Sequence, residues 1–175
     1  PPSRTRMRKQ FPQSIDYGFF GQEGENPRRS VGGDEAPVLI VKDRKSKCVF
    51  AHPVPAKGTK GDDWGVKCLM KDLNLTGYTR VIMKSDQEPA VMALKNEVKK
   101  RWALSSGGEL LPENSPKGES KSNGEIERAV QEVHGISRTL KEYVEFYAEI
   151  VLDPHWPIMA WLGEYSAVGY TLYQK

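Results

Sequence analysis

The chain is poor in cysteine, with only Cys48 and Cys68 among 175 residues. Two thiols cannot build a disulfide framework, and they lack the paired spacing of a zinc site, so a reducing, intracellular setting is expected. Long apolar runs are missing too. Nothing approaches the roughly 18 residues of a membrane-spanning helix, and no charged-then-apolar signal segment opens the chain. A soluble protein with no membrane partner is the expectation. Excess charge of one sign is also lacking: 26 Lys and Arg face 23 Asp and Glu, a net charge of +3. Nucleic-acid binding would therefore have to rest on local basic patches. The N-terminus is one such patch, with Arg4, Arg6, Arg8 and Lys9 and no acid. Residues 1–13 read as a basic linker, either contacting phosphates or simply solvated. His52, His134 and His155 are scattered, with no local setting for Cys-His nucleophilic catalysis. Lys57-Gly58-Thr59-Lys60-Gly61 lacks the Gly-x4-Gly-Lys phosphate loop and reads as a turn.

What is present fits one domain, residues 14–175, of a length that buries a substantial core. Ser14 to Phe20 reads as an aromatic strand, with Asp16, Gly18 and Phe20 on one face and Ile15, Tyr17 and Phe19 on the other. A glycine-rich loop follows from Gly21 to Ala36. Val38-Leu39-Ile40-Val41 and Lys47 to Val54 are then two further strands of an antiparallel meander. A helix opens at Asp62-Asp63-Trp64, carries Trp64, Cys68, Leu69 and Leu73 as its apolar stripe, and stops at Gly77. Arg80 to Lys84 is a buried strand. A helix starting near Pro89 repeats Val91, Leu94, Val98 and Trp102. Ser105 to Asn123, rich in serine and glycine, reads as a long loop without a core element, either functional or a disordered connector. Asn123 is then the expected N-cap of a helix whose period is Ile126, Ala129, Val130, Val133 and Leu140. Pro157 starts a last helix with Ile158, Trp161, Leu162, Tyr165 and Val168 as its stripe, serving core packing or a contact between copies.

Three acids stand out against this frame. Asp16 lies in an aromatic strand, where a carboxylate is unfavourable unless it sits at an edge, pairs in a turn or binds a ligand. Asp86 follows a buried strand, where capping the next helix is its plainest role. Glu125 and Glu127 compete for the third place. Two residues apart, they point about 200° apart on a helix and cannot serve one site together. A glutamate in the first turn is favoured by the helix dipole alone, and that role suffices for Glu125. Three converging carboxylates suit two hard divalent ions and phosphodiester chemistry.

The order and setting of these acids resemble the catalytic core of a retroviral or retrotransposon integrase over roughly residues 14 to 170. Ile15-Asp16-Tyr17 is similar to the family's first-strand aspartate, and Ser85-Asp86-Gln87-Glu88-Pro89 to its second aspartate, where a strand turns into a helix. Ser122-Asn123-Gly124-Glu125-Ile126-Glu127-Arg128-Ala129-Val130 resembles the stretch bearing the third acid, and the Gly-x-x-Glu spacing falls on Glu127. The sequence departs from the pattern in three respects. Asp86 and Glu127 have 40 residues between them, a few more than in retroviral members. Gln87-Glu88 stands where Asn-Gly is common, and these 175 residues contain no His-His-Cys-Cys zinc module and leave no room after the core for a DNA-binding barrel, so a core without its usual flanks is the expectation.

The resemblance implies an α/β, ribonuclease H-like fold, a mixed central sheet with flanking helices. It also implies 3′-end processing and strand transfer, in which Asp16, Asp86 and Glu127 hold two Mg²⁺ or Mn²⁺ ions. Lys117, Lys121, Ser122, Asn123 and Arg128 would meet nucleic acid. The partners it implies are the DNA of the element ends, the target DNA, and further copies of the chain in a homodimer or larger multimer. The expected place of action is the nucleus, and the opening on Pro1 rather than methionine reads as a segment of a polyprotein.

Overall fold

The computed structural model describes residues 10–19, 37–59, 63–115, 120–153 and 156–174, with backbone alone at 120–122. The basic residues Arg4, Arg6, Arg8 and Lys9, the loop from Gly21 to Ala36, and Lys117 lie outside the described residues, as do the side chains of Lys121 and Ser122.

The elements run β1 (Phe11–Phe19), β2 (Pro37–Asp43), β3 (Val49–Pro53), α1 (Trp64–Thr76), β4 (Arg80–Ser85), α2 (Pro89–Ser106), β5 (Glu109–Asn114), α3 (Ser120–Ala148) and α4 (Pro157–Tyr173). The five strands form one sheet in the order β3-β2-β1-β4-β5. β1, β2 and β3 are the expected antiparallel meander, whereas β4 lies parallel to β1 and β5 parallel to β4. The sheet is therefore mixed, with its first strand at the centre.

Alternation along the strands sends side chains into two separate cores. Ile15, Tyr17, Leu39, Val41, Val81 and Met83 pack with Val66, Leu69 and Leu73 of α1 and with Val91, Leu94, Val98 and Trp102 of α2. On the opposite face Val38, Ile40, Val49 and Ala51 meet Ile126, Ala129, Val130 and Val133 of α3 and Ala167 of α4. At about 25 cal/mol per Å² of apolar surface removed from water, these two layers supply most of the folding drive. Between β3 and α1, His52 Nε2 meets Asp72 Oδ2 at 2.8 Å, in a pair that is almost wholly buried.

β5 departs most clearly from the expectation drawn from the sequence. Glu109–Asn114 lies inside the stretch read as loop, yet it pairs with β4 along its whole length. Leu110 is its only fully buried side chain, and Pro112 is tolerated because an edge strand has one unpaired side. Two glycines lead into it. Gly107 takes φ 66° to end α2, and a Cβ on Gly108 would stand 2.6 Å from the indole of Trp102, so only glycine fits without moving that ring. The opposite edge, β3, is covered differently: Thr171 Oγ1 of α4 accepts the Val49 N–H at 2.9 Å and donates to the Val49 carbonyl at 3.3 Å.

Three smaller corrections concern helices. α3 starts at Ser120, so Asn123 lies inside its first turns and is not the N-cap. Trp64 belongs to no apolar stripe; it is exposed at the head of α1 and donates its indole N–H to the Pro53 carbonyl at 3.2 Å. On α4 the buried positions are Leu162, Gly163, Ser166 and Ala167, which turns Trp161 and Tyr165 outward.

Candidate active site

Asp16 occupies the middle of β1 and is buried, with Oδ1 accepting the Tyr17 N–H at 2.9 Å. Its antiparallel partner is Ile40. Cross-strand partners share a face of the sheet, and Ile40 belongs to the core under α3. Asp16 thus lies on the α3 side.

Asp86 stands one residue beyond β4. The pairing of β1 with β4 ends at Ser14 opposite Lys84. Asp16 lies two residues beyond Ser14 and Asp86 two beyond Lys84, so both acids follow that last pair by the same number of residues. Asp86 Oδ1 accepts the Glu88 N–H at 3.1 Å, a local turn bond of the kind aspartates make two residues ahead. Glu88 ends that turn with its carboxylate on Lys57 Nζ at 3.0 Å. Gln87 and Glu88, which differ from the common Asn-Gly, therefore have positions of their own in the turn.

Glu127 lies in α3 beside Ile126, whose side chain is buried against the sheet. It falls one turn after Asn123, on the same side of the helix. Asn123 in turn is tied to the Asp86 segment through Ser115. Ser115 donates its N–H to the Ser85 carbonyl at 2.9 Å, accepts Gln87 Nε2 on its own carbonyl at 3.0 Å, and hydrogen-bonds through Oγ to Asn123 Oδ1. One serine joins the end of β4, the Asp86 turn and the start of α3.

Glu125 faces elsewhere. Its carboxylate pairs with Arg44 Nε at 2.7 Å, on the turn after β2. That pairing replaces the first-turn role read from sequence, because α3 begins five residues before Glu125. Arg128 is exposed and reaches Glu132 at 3.6 Å. Burial and the neighbouring Arg138 hold His134 below the usual histidine range.

Sequence reasoning overlooked Lys95. It lies on α2 between the buried Leu94 and Val98 and is itself fully buried. Its Nζ donates to the Glu113 carbonyl at 3.1 Å and to Asn114 Oδ1 at 2.7 Å. Burial pushes its pKa down to about 8, with the charges of Asp86 and Glu113 acting in the opposite sense. A signal was available: Lys95 is four residues after Val91 and three before Val98, inside the apolar stripe.

Among the described residues no three His, Cys, Asp or Glu side chains are gathered closely enough to hold an ion. The chemistry of the donor set nevertheless suits one. All three acids offer oxygen alone, the donor that hard divalent ions take. Asp16 lies on β1, Asp86 one residue beyond β4, which pairs with β1, and Glu127 on α3, which lies against β1.

No protein-family model matches this chain, and no curated protein matches its sequence. Solved structures do match its fold. The HTLV-2 integrase catalytic core domain in complex with magnesium, in its trimeric form, superposes with a TM-score of 0.55 at 12% identity, over 93% of this chain and 84% of that one. The dimeric form of that domain gives a TM-score of 0.48 at 12% identity, over 86% and 82% of the two chains. A simian T-cell lymphotropic virus intasome in complex with PP2A regulatory subunit B56 gamma gives 0.46 at 12% identity, over 89% of this chain and 47% of the other. The fold is that of an integrase catalytic core: a ribonuclease H-like mixed sheet of five strands with flanking helices.

Proposed function

We propose that this chain is the catalytic core of an integrase-type polynucleotidyl transferase, which trims the 3′ end of an element's DNA and joins it to target DNA. The observation that carries the reading is the order Asp16, Asp86, Glu127 on β1, after β4 and on α3 of an integrase-like fold. Asp16, Asp86 and Glu127 would together hold two Mg²⁺ or Mn²⁺ ions. Such ions supply activation of the attacking oxygen and stabilisation of the leaving oxygen. The protein's own part is placement. The Ser115 hydrogen bonds hold the Asp86 turn against α3, so that two in-line displacements, by water and then by the freed 3′-hydroxyl, meet carboxylates in a fixed frame. Asn123 and Arg128, with Lys117, Lys121 and Ser122, would contact the DNA backbone and bases.

The test is a gel assay with a pre-cleaved DNA end, Mg²⁺ and a target plasmid. A joined product is expected. Cleavage without joining would make the chain a ribonuclease H-like nuclease, and DNA binding without any product would make it a non-catalytic binding or assembly domain.

Self-association belongs to the same reading. Trp161, Tyr165, Val168 and Leu172 are 54%, 50%, 52% and 72% exposed and recur at intervals of four, three and four residues along α4. The rings of Trp161 and Tyr165 stack at 4.9 Å. Such an aromatic stripe suits the centre of a contact between copies. Sedimentation should show a dimer or larger species, and Trp161→Ala should shift it toward monomer. A monomer at every accessible concentration, with Trp161→Ala lowering stability alone, would leave the stripe a packing role.

A further inference from the structure

Lys95 poses a question that packing does not answer. A buried ammonium costs several kcal/mol in desolvation, and a methionine would fill the same space beside Leu94 and Val98 without that cost. What the lysine adds is its reach. From α2 it grasps the last two residues of β5, through the Glu113 carbonyl and Asn114 Oδ1. The next residue is Ser115, which bonds to Ser85, Gln87 and Asn123.

We propose that Lys95 is a positioning residue for the active site: by anchoring the end of β5 to α2 it fixes Ser115, through which the Asp86 turn and the Glu127 helix are held in register. The inference rests on the two-ion reading of Asp16, Asp86 and Glu127. It assigns Lys95 no contact with substrate.

The variant Lys95→Met separates positioning from packing. Both acceptors that it abandons belong to exposed residues and can turn to water. The variant is therefore expected to unfold at the same denaturant concentration as the parent chain, or a higher one. Mn²⁺ affinity, measured by calorimetry on the chain without DNA, should fall about tenfold, the usual consequence of removing a group that supports metal ligands. Hydrogen exchange at the Ser115 amide, which is bonded to the Ser85 carbonyl, should quicken by about the same factor. Unchanged Mn²⁺ affinity and unchanged Ser115 exchange in a folded Lys95→Met would overturn the proposal.

If Lys95→Met does not fold, Asn114→Ala decides, since it removes one acceptor from an exposed residue. Weaker Mn²⁺ binding and faster exchange at Ser115 would support the role, and parental values for both would reject it. Should the parent chain itself bind no Mn²⁺, the two-ion reading fails. Lys95 is then judged by exchange alone, where a quickened Ser115 amide upholds the anchor and an unchanged one rejects it.

Discussion

Glu127→Gln will abolish cleavage and joining while leaving DNA affinity nearly intact. The substitution keeps the shape of the side chain and removes the negative charge that an ion needs. The loss should exceed the roughly 10²–10³ that follows removal of a single transition-state donor in other enzymes. DNA affinity rests mainly on contacts of Lys and Arg with phosphates, which the change does not touch. Asp86→Asn should behave alike. Glu125→Gln provides the contrast. Its partner Arg44 is about as exposed as it is, at 35% against 32%, so losing the pair should cost less than about 1 kcal/mol and leave the reaction running. Single-turnover gels and fluorescence anisotropy on the three variants check all of this. An inactive Glu125→Gln beside an active Glu127→Gln would exchange the roles of the two glutamates.

Asp72→Ala should destabilise the chain by about 3–5 kcal/mol, because removing one member of a buried ion pair strands the other. The pair also carries a pH signature. Burial alone would lower the pKa of His52, but its hydrogen bonds to Asp72 and Cys68 and the charge of Asp72 prevail and raise it from 6.5 to about 9. Burial draws Asp72 upward as well, against the pull of His52. With the two 2.8 Å apart the shared proton belongs on the imidazole, the stronger base. A group whose pKa is higher folded than unfolded stabilises the fold fully below its unfolded value, and the gain disappears as pH climbs through the folded one. Stability should accordingly decline between pH 6.5 and about 9, by at most about 3 kcal/mol at roughly 1.36 kcal/mol per pKa unit. Urea midpoints across that range measure it. Asp72→Ala should flatten the slope, and a flat profile in the parent chain would refute the ionic pair.

Much of the fold was legible because its strands and helices announce themselves by period. Val91, Leu94, Val98 and Trp102 mark α2, and Pro89 and Pro157 mark helix starts, since proline at the first helical position gives up an N–H that has no partner there. β5 was not legible. It buries one leucine, contains a proline and follows two glycines, so its existence depends on hydrogen bonds to β4 that no local pattern records. The three acids were singled out in the sequence by their spacing and by the oddity of an aspartate in an aromatic strand. Their supporting frame was not. Ser115 looked like one more loop serine, and Lys95 was passed over although it falls on an apolar stripe, because the amphipathic reading counts apolar residues and skips the charged one among them. The direction of the α4 stripe also depended on tertiary structure: periodicity finds the Trp161 and Tyr165 face but does not say which side of the helix meets the sheet.

The two margins of the sheet limit how copies of this chain can join. Thr171 occupies both backbone groups of Val49 on β3, and Pro112 withholds an N–H on β5. Neither border offers an incoming strand an uninterrupted ladder, which is the route by which exposed strands recruit one another into fibrils. The sheet is held to a width of five strands. Copies brought together at high local concentration would thus meet through helix faces and side chains, in contacts that can form, separate and form again, and not through a continuous backbone lattice.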